Sequence, residues 1–90
     1  MQNNLLLEMI PERRYNVTLN NLQQKGKIVY RIATVPSGPR HHETWTCSIM
    51  VDFYAGTTYL DPPIYVAQGW SKGEALNIAS YFLLTDFKCA

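Results

Sequence analysis

Two stretches of strict alternation constrain this chain more than any other feature. From Lys27 to Thr34, Ile28, Tyr30 and Ile32 fall on one side and Lys27, Val29 and Arg31 on the other. From Trp45 to Val51, Trp45, Cys47, Ile49 and Val51 oppose Thr46, Ser48 and Met50. Period two is the signature of strands, because successive side chains leave opposite faces of the backbone. Pro36-Ser37-Gly38-Pro39 separates the two runs and is expected to break the first. A sheet with an apolar face follows, and that face needs a cover.

Helices on either side of these runs supply it. Before them, Asn16 or Thr18 can cap a helix in which Leu19 and Leu22 share a face, and Gly26 stops it. Its other face shows Thr18, Asn21, Gln24 and Lys25. After them, Ser71-Lys72-Gly73-Glu74 fits a capping box, with the serine oxygen facing the Glu74 amide and the Glu74 carboxylate reaching back. Ala75, Ile78, Ala79 and Phe82 then follow the i, i+3, i+4, i+7 spacing of a buried stripe. A third strand is expected at Thr57–Tyr59 or at Ile64–Ala67. Asp61-Pro62-Pro63 between them excludes one continuous inner strand and predicts a long connection or a bent edge. The expected fold class is α+β, in the order α-β-β-β-α, with two helices packed on one face of a three-stranded antiparallel sheet.

Ninety residues, 47% of them hydrophobic, suit one folded domain with a modest core and leave little space for an enclosed substrate cavity. The expected organisation is an N-terminal arm or short extra helix over residues 1–15, then one domain over 16–90. The arm's apolar run, Leu5-Leu6-Leu7 with Met9 and Ile10, ends at Pro11 and has no basic leader, so a secretory signal is not expected. No segment approaches the roughly 18 apolar residues of a membrane span. Cys47 and Cys89 have neither metal-site nor redox spacing, which fits a reducing, intracellular setting in the cytoplasm or nucleus. The net charge is only +1, but it is unevenly spread. Arg13 to Glu43 carries six cations against Glu43 alone, a net +5, whereas Val51 onward carries two cations against four carboxylates, a net −2. That asymmetry hints at a basic face.

Two catalytic or metal patterns fail on their own chemistry. Gly69-Trp70-Ser71-Lys72-Gly73 has the spacing of a hydrolase nucleophile elbow, but that arrangement needs a later histidine, and none follows His42. His41-His42-Glu43, with Cys47 beyond, offers metal-binding side chains without a second cluster to complete a tetrahedral site. No catalytic residue, metal or cofactor is expected.

A set of motifs in a fixed order remains: Tyr30, then Gly38-Pro39-Arg40-His41, then Trp45-Thr46-Cys47-Ser48-Ile49-Met50-Val51, then Gly69-Trp70-Ser71-Lys72-Gly73-Glu74-Ala75-Leu76-Asn77-Ile78-Ala79-Ser80. Together with Leu19–Lys25 they resemble the double-stranded-RNA-binding domain family from about Asn16 to Phe87. The family shows a tyrosine in its first strand, a G-P-x-H loop, an aromatic opening the second strand, and a G-x-S-K-K-x-A-K-x-x-A-A helix start.

The resemblance implies sequence-independent binding of duplex RNA, whose minor groove is wide, shallow and lined with 2′-hydroxyls. Thr18, Asn21, Gln24 and Lys25 of the first helix would meet one minor groove, and the loop with Pro39, Arg40 and His41 the next. Lys72 at the last helix start would face phosphates across the major groove between them. The chain departs from the family at Gly73 and Leu76, which stand where lysines are usual. Members without those lysines often serve as docking or dimerisation modules. The resemblance therefore implies an alternative, a protein partner or homodimer through the last helix, with Trp70, Leu76 and Leu83 as contacts.

Overall fold

The computed structural model describes residues 14–88; the expected N-terminal arm, apart from its last two residues, lies outside them. The elements run α1 (Tyr15–Gln24), β1 (Ile28–Ser37), β2 (Thr44–Tyr54), β3 (Thr57–Thr58), β4 (Ile64–Gly69) and α2 (Lys72–Asp86). The described residues form an α+β arrangement, two helices with an antiparallel sheet of four strands. β2 is central. It pairs along its whole length with β1 and, on its other side, with β4 through Trp45–Met50 and with β3 through Phe53 and Tyr54.

That far edge corrects the expected three-stranded sheet. Both candidate runs form strands, β3 and β4, in succession along one side of β2. Asp61-Pro62-Pro63 lies between them because proline has no N–H to give a continuous ladder. The break is still bridged, since the Val51 N–H donates to the Pro63 carbonyl at 3.0 Å.

β1 also runs further than the alternation predicts, through Pro36 to Ser37. Among the described residues only one side of β1 is paired, so a proline can sit there without breaking an inner ladder. The register steps between Val29 and Tyr30, which face Phe53 and Val51, so Asp52 is an extra residue in β2. This bulge shifts the inward positions from Cys47, Ile49 and Val51 to Tyr54.

The core forms between this face and the helices. Ile28, Cys47, Ile49, Val51 and Ala67 of the sheet are buried with Tyr15 and Leu19 of α1 and Ala75, Ala79, Leu83 and Leu84 of α2. Tyr15 belongs to the domain, not to the arm: it is buried and its ring lies 4.9 Å from that of Tyr81. The buried stripe of α2 is rotated from the expected one. Phe82 is 40% exposed, whereas Leu83 and Leu84 are fully buried. Phe87 closes the far end by stacking on Tyr54 at 4.7 Å.

Helix ends follow local chemistry in three cases of four. α1 stops in a Schellman arrangement: Lys27 N–H donates to the Leu22 carbonyl, Gly26 N–H donates to that of Gln23, and Gly26 has φ +75°. α2 starts at the Ser71 cap, whose Oγ accepts from the Glu74 N–H at 3.1 Å. Glu74 Oε1 returns to accept from the Trp70 N–H at 2.6 Å, one residue before the usual capping-box donor. At its other end α2 closes on Phe87, whose N–H donates to Leu83 O at 3.0 Å. α1 has no such start. It begins after Arg14 with no side-chain cap of its own, so neither Asn16 nor Thr18 caps it.

Candidate nucleic-acid interface

The candidate residues lie on three exposed features that the sheet holds apart. Tyr15, Leu19 and Leu22 turn α1's apolar side inward, which leaves Thr18, Asn21, Gln24 and Lys25 exposed on the outer side. β1 then carries the chain about 33 Å along its ten residues, at about 3.3 Å per residue, to the loop that precedes β2. Within that loop the His42 N–H donates to the Pro39 carbonyl at 2.9 Å, so Pro39–His42 forms a closed turn. Arg40 and His41 occupy its two central positions and are exposed, as is Pro39. Ser37 Oγ and Thr44 Oγ1, 3.4 Å apart, close the base of the loop.

Lys72 opens α2 near the same end of the sheet, because Gly69, at the end of β4, pairs with Trp45 at the start of β2. The Lys72 ammonium sits 5.4 Å from the centre of the Trp45 ring. A cation over an indole face is held by the ring quadrupole while its charge stays accessible. Trp45 is therefore a residue that sequence reasoning missed as part of the site. Its signal, an aromatic opening the second strand, was visible, but its contact with Lys72 spans 27 positions.

Charge is less concentrated than the sequence suggests. Arg31 belongs to the opposite face of the sheet, where its Nε and Nη2 donate to Asp52 at 2.8 and 2.9 Å. The carboxylate raises the guanidinium pKa, and Arg31 holds that of Asp52 below the usual carboxylate range. Arg31 thus adds nothing to a basic surface on the helix side. Among the described residues, the cations left near the candidate features are Arg14, Lys25, Lys27, Arg40 and Lys72. Glu74 places a carboxylate in the first turn of α2, next to Lys72.

The alternative docking contacts Trp70, Leu76 and Leu83 do not share one surface. Trp70 is 72% exposed and Leu76 half-buried, but Leu83 is fully buried in the core. Leu76 lines a groove of about 320 Å³ with Val17, Tyr30 and Ile32. Leu83 lies inward because it continues the Ala75–Ala79 row at i+4, the row that faces the sheet. The metal-like residues are similarly divided: His41 and His42 are exposed in the loop, while Cys47 is buried beneath the helices and burial pushes its thiol pKa up. Among the described residues no helix is long and apolar enough to cross a membrane. No protein-family model matches the chain, and no curated protein matches it.

Proposed function

We propose that this chain binds duplex RNA without sequence preference, in the manner of the double-stranded-RNA-binding domains its motifs resemble. One observation carries the reading: Lys72 is held on Trp45 at the end of the sheet that also bears the Pro39–His42 turn, while α1 exposes a polar face separated from that turn by β1. Such spacing suits a duplex read by shape across about 16 base pairs, two minor grooves with a major groove between. In this reading Thr18, Asn21, Gln24 and Lys25 meet one minor groove and Pro39, Arg40 and His41 the other. Their donors and acceptors suit 2′-hydroxyls and phosphate oxygens. Lys72 takes the phosphates between. No reaction and no cofactor are assigned, and the setting proposed is the cytoplasm or nucleus.

With one lysine where the family commonly has three, affinity should be modest and its salt dependence shallow, since each phosphate neutralised adds about one unit to the slope of log affinity against log salt. The test is titration with an RNA duplex of about 20 base pairs, longer than the roughly 16 the mode requires, beside a DNA duplex of the same sequence. The expected result is tighter binding of RNA, weakened by Lys72→Ala and His41→Ala, with Lys72→Ala lowering the salt slope by about one. Absence of binding to either duplex at low salt would overturn the reading.

A further inference from the structure

Both faces of the sheet carry apolar side chains, yet among the described residues helices cover only one. On the open face Val29, Val35, Ile64 and Val66 are 48%, 58%, 53% and 51% exposed, beside half-buried Met50 and Phe53. An antiparallel sheet that turns one face to water normally carries polar side chains there. Thr46, Ser48 and Gln68 share this face, but large exposed apolar side chains gathered among them mark a surface that is covered in use.

We propose that this face pairs with the same face of a second copy of the chain, sheet on sheet. Charge supports a copy of itself as occupant. The only charged side chains among the strand residues of this face are Arg31 and Asp52, one of each sign, joined to each other. The patch is therefore neutral and does not repel itself, and about a two-fold axis each charge can approach its opposite on the other copy. Shape supports it too, because two twisted sheets stack face to face about 10 Å apart with interleaved side chains. A depression of about 470 Å³ lined by Arg31, Ala33, Ser48, Met50 and Ile64 offers space for a side chain of the facing copy.

Area sets the strength. Strands of ten, eleven and six residues, about 4.8 Å apart with a rise of about 3.3 Å per residue, present roughly 430 Å² on each copy, so the contact totals about 860 Å². That lies just below the roughly 1,000 Å² of a stable specific interface, and it predicts a weak, concentration-dependent dimer with a dissociation constant on the order of 100 µM. The helices, the Pro39–His42 turn and Lys72 stay outside the contact, so the dimer does not depend on RNA binding and would carry two copies of that surface.

Sedimentation equilibrium of the full chain without RNA, from about 5 to about 500 µM to bracket that constant, tests it. A monomer–dimer equilibrium is expected, weakened at least tenfold by Val66→Lys and less by Val66→Thr, which keeps the strand's shape. Arg31→Asp alone and Asp52→Arg alone should each be monomeric, because each gives the face a single sign, whereas mixing the two variants should restore a dimer containing one of each. A chain that stays monomeric throughout, or a dimer indifferent to Val66→Lys and to the charge exchange, would overturn the proposal.

Discussion

The backbone N–H of Asn16 donates to the Asn77 side-chain oxygen at 3.2 Å, so the second helix caps the first across 61 residues of chain. Four N–H groups at a helix start lack partners within the helix, and α1 has no cap of its own. Asn77→Ala should therefore cost about 1 kcal/mol, the usual loss of a helix cap. Asn16→Ala keeps the backbone donor and should change stability by less than about 0.5 kcal/mol. Urea unfolding of both variants checks this; equal losses would mean that the contact carries no stability.

Gly69 joins the last strand to the last helix with no space for a side chain. A Cβ there would lie 2.7 Å from the Ala75 nitrogen and 3.0 Å from Glu74 Oε1. Gly69→Ala should destabilise by about 1–3 kcal/mol, as overpacking does. Gly73, four residues on, has nothing within 4 Å of such an atom, so Gly73→Ala should stabilise by up to about 1 kcal/mol through helix propensity. Thermal unfolding of the pair would show opposite signs.

Leu83 and Leu76 are expected to separate sharply. Leu83 is fully buried in the core and Leu76 only half-buried at the groove. Leu83→Ala should cost about 2–5 kcal/mol from lost burial plus a cavity, and Leu76→Ala clearly less. Similar losses for both, measured by denaturant unfolding, would contradict the observed rotation of the helix.

Stability should decline in alkali. Burial pushes the Cys47 thiol above its ordinary 9.0 and the Tyr30 phenol above its ordinary 10.0. Tyr65 is raised above 10.0 by burial and then by the hydrogen bond its hydroxyl donates to Asp86. A folded state that holds protons which the unfolded chain would release is favoured below the unfolded pKa values and loses that advantage as pH rises through the folded ones. The loss should begin near pH 9–10, and Tyr65→Phe should flatten it. In a Cys89→Ser background, Cys47 should resist a thiol reagent until the protein unfolds. Rapid labelling of the native protein at pH 8 would show that the thiol is not enclosed.

Much of the local framework is legible in the residues themselves. Ser71 and Glu74 announce the start of α2, Gly26 ends α1, and the alternation from Trp45 to Val51 names the inward side chains of β2. These features act over a few residues, through hydrogen bonds and periodicities that need no distant partner. The exposure of Thr18, Asn21, Gln24, Arg40, His41 and Lys72 was legible for the same reason, since polar side chains beside turns and helix starts keep their local setting when the chain folds.

What escaped depends on distant groups. The start of α1 waits for Asn77. The side of α2 that turns inward is decided by the sheet and α1 beneath it: both the Ala75–Phe82 and the Ala75–Leu83 rows are apolar enough, and only packing places Leu83 inside and Phe82 outside. Arg31 counts toward a basic stretch in the sequence, until β2 brings Asp52 beside it on the far face of the sheet. The sequence by itself determined the alternation of β2, the end of α1 and the start of α2, because those choices are settled within a turn or two of backbone. Only the tertiary structure decided which apolar surfaces are buried, which charges are cancelled and which sheet face stays open, because each of these depends on what another part of the chain brings within a few ångströms.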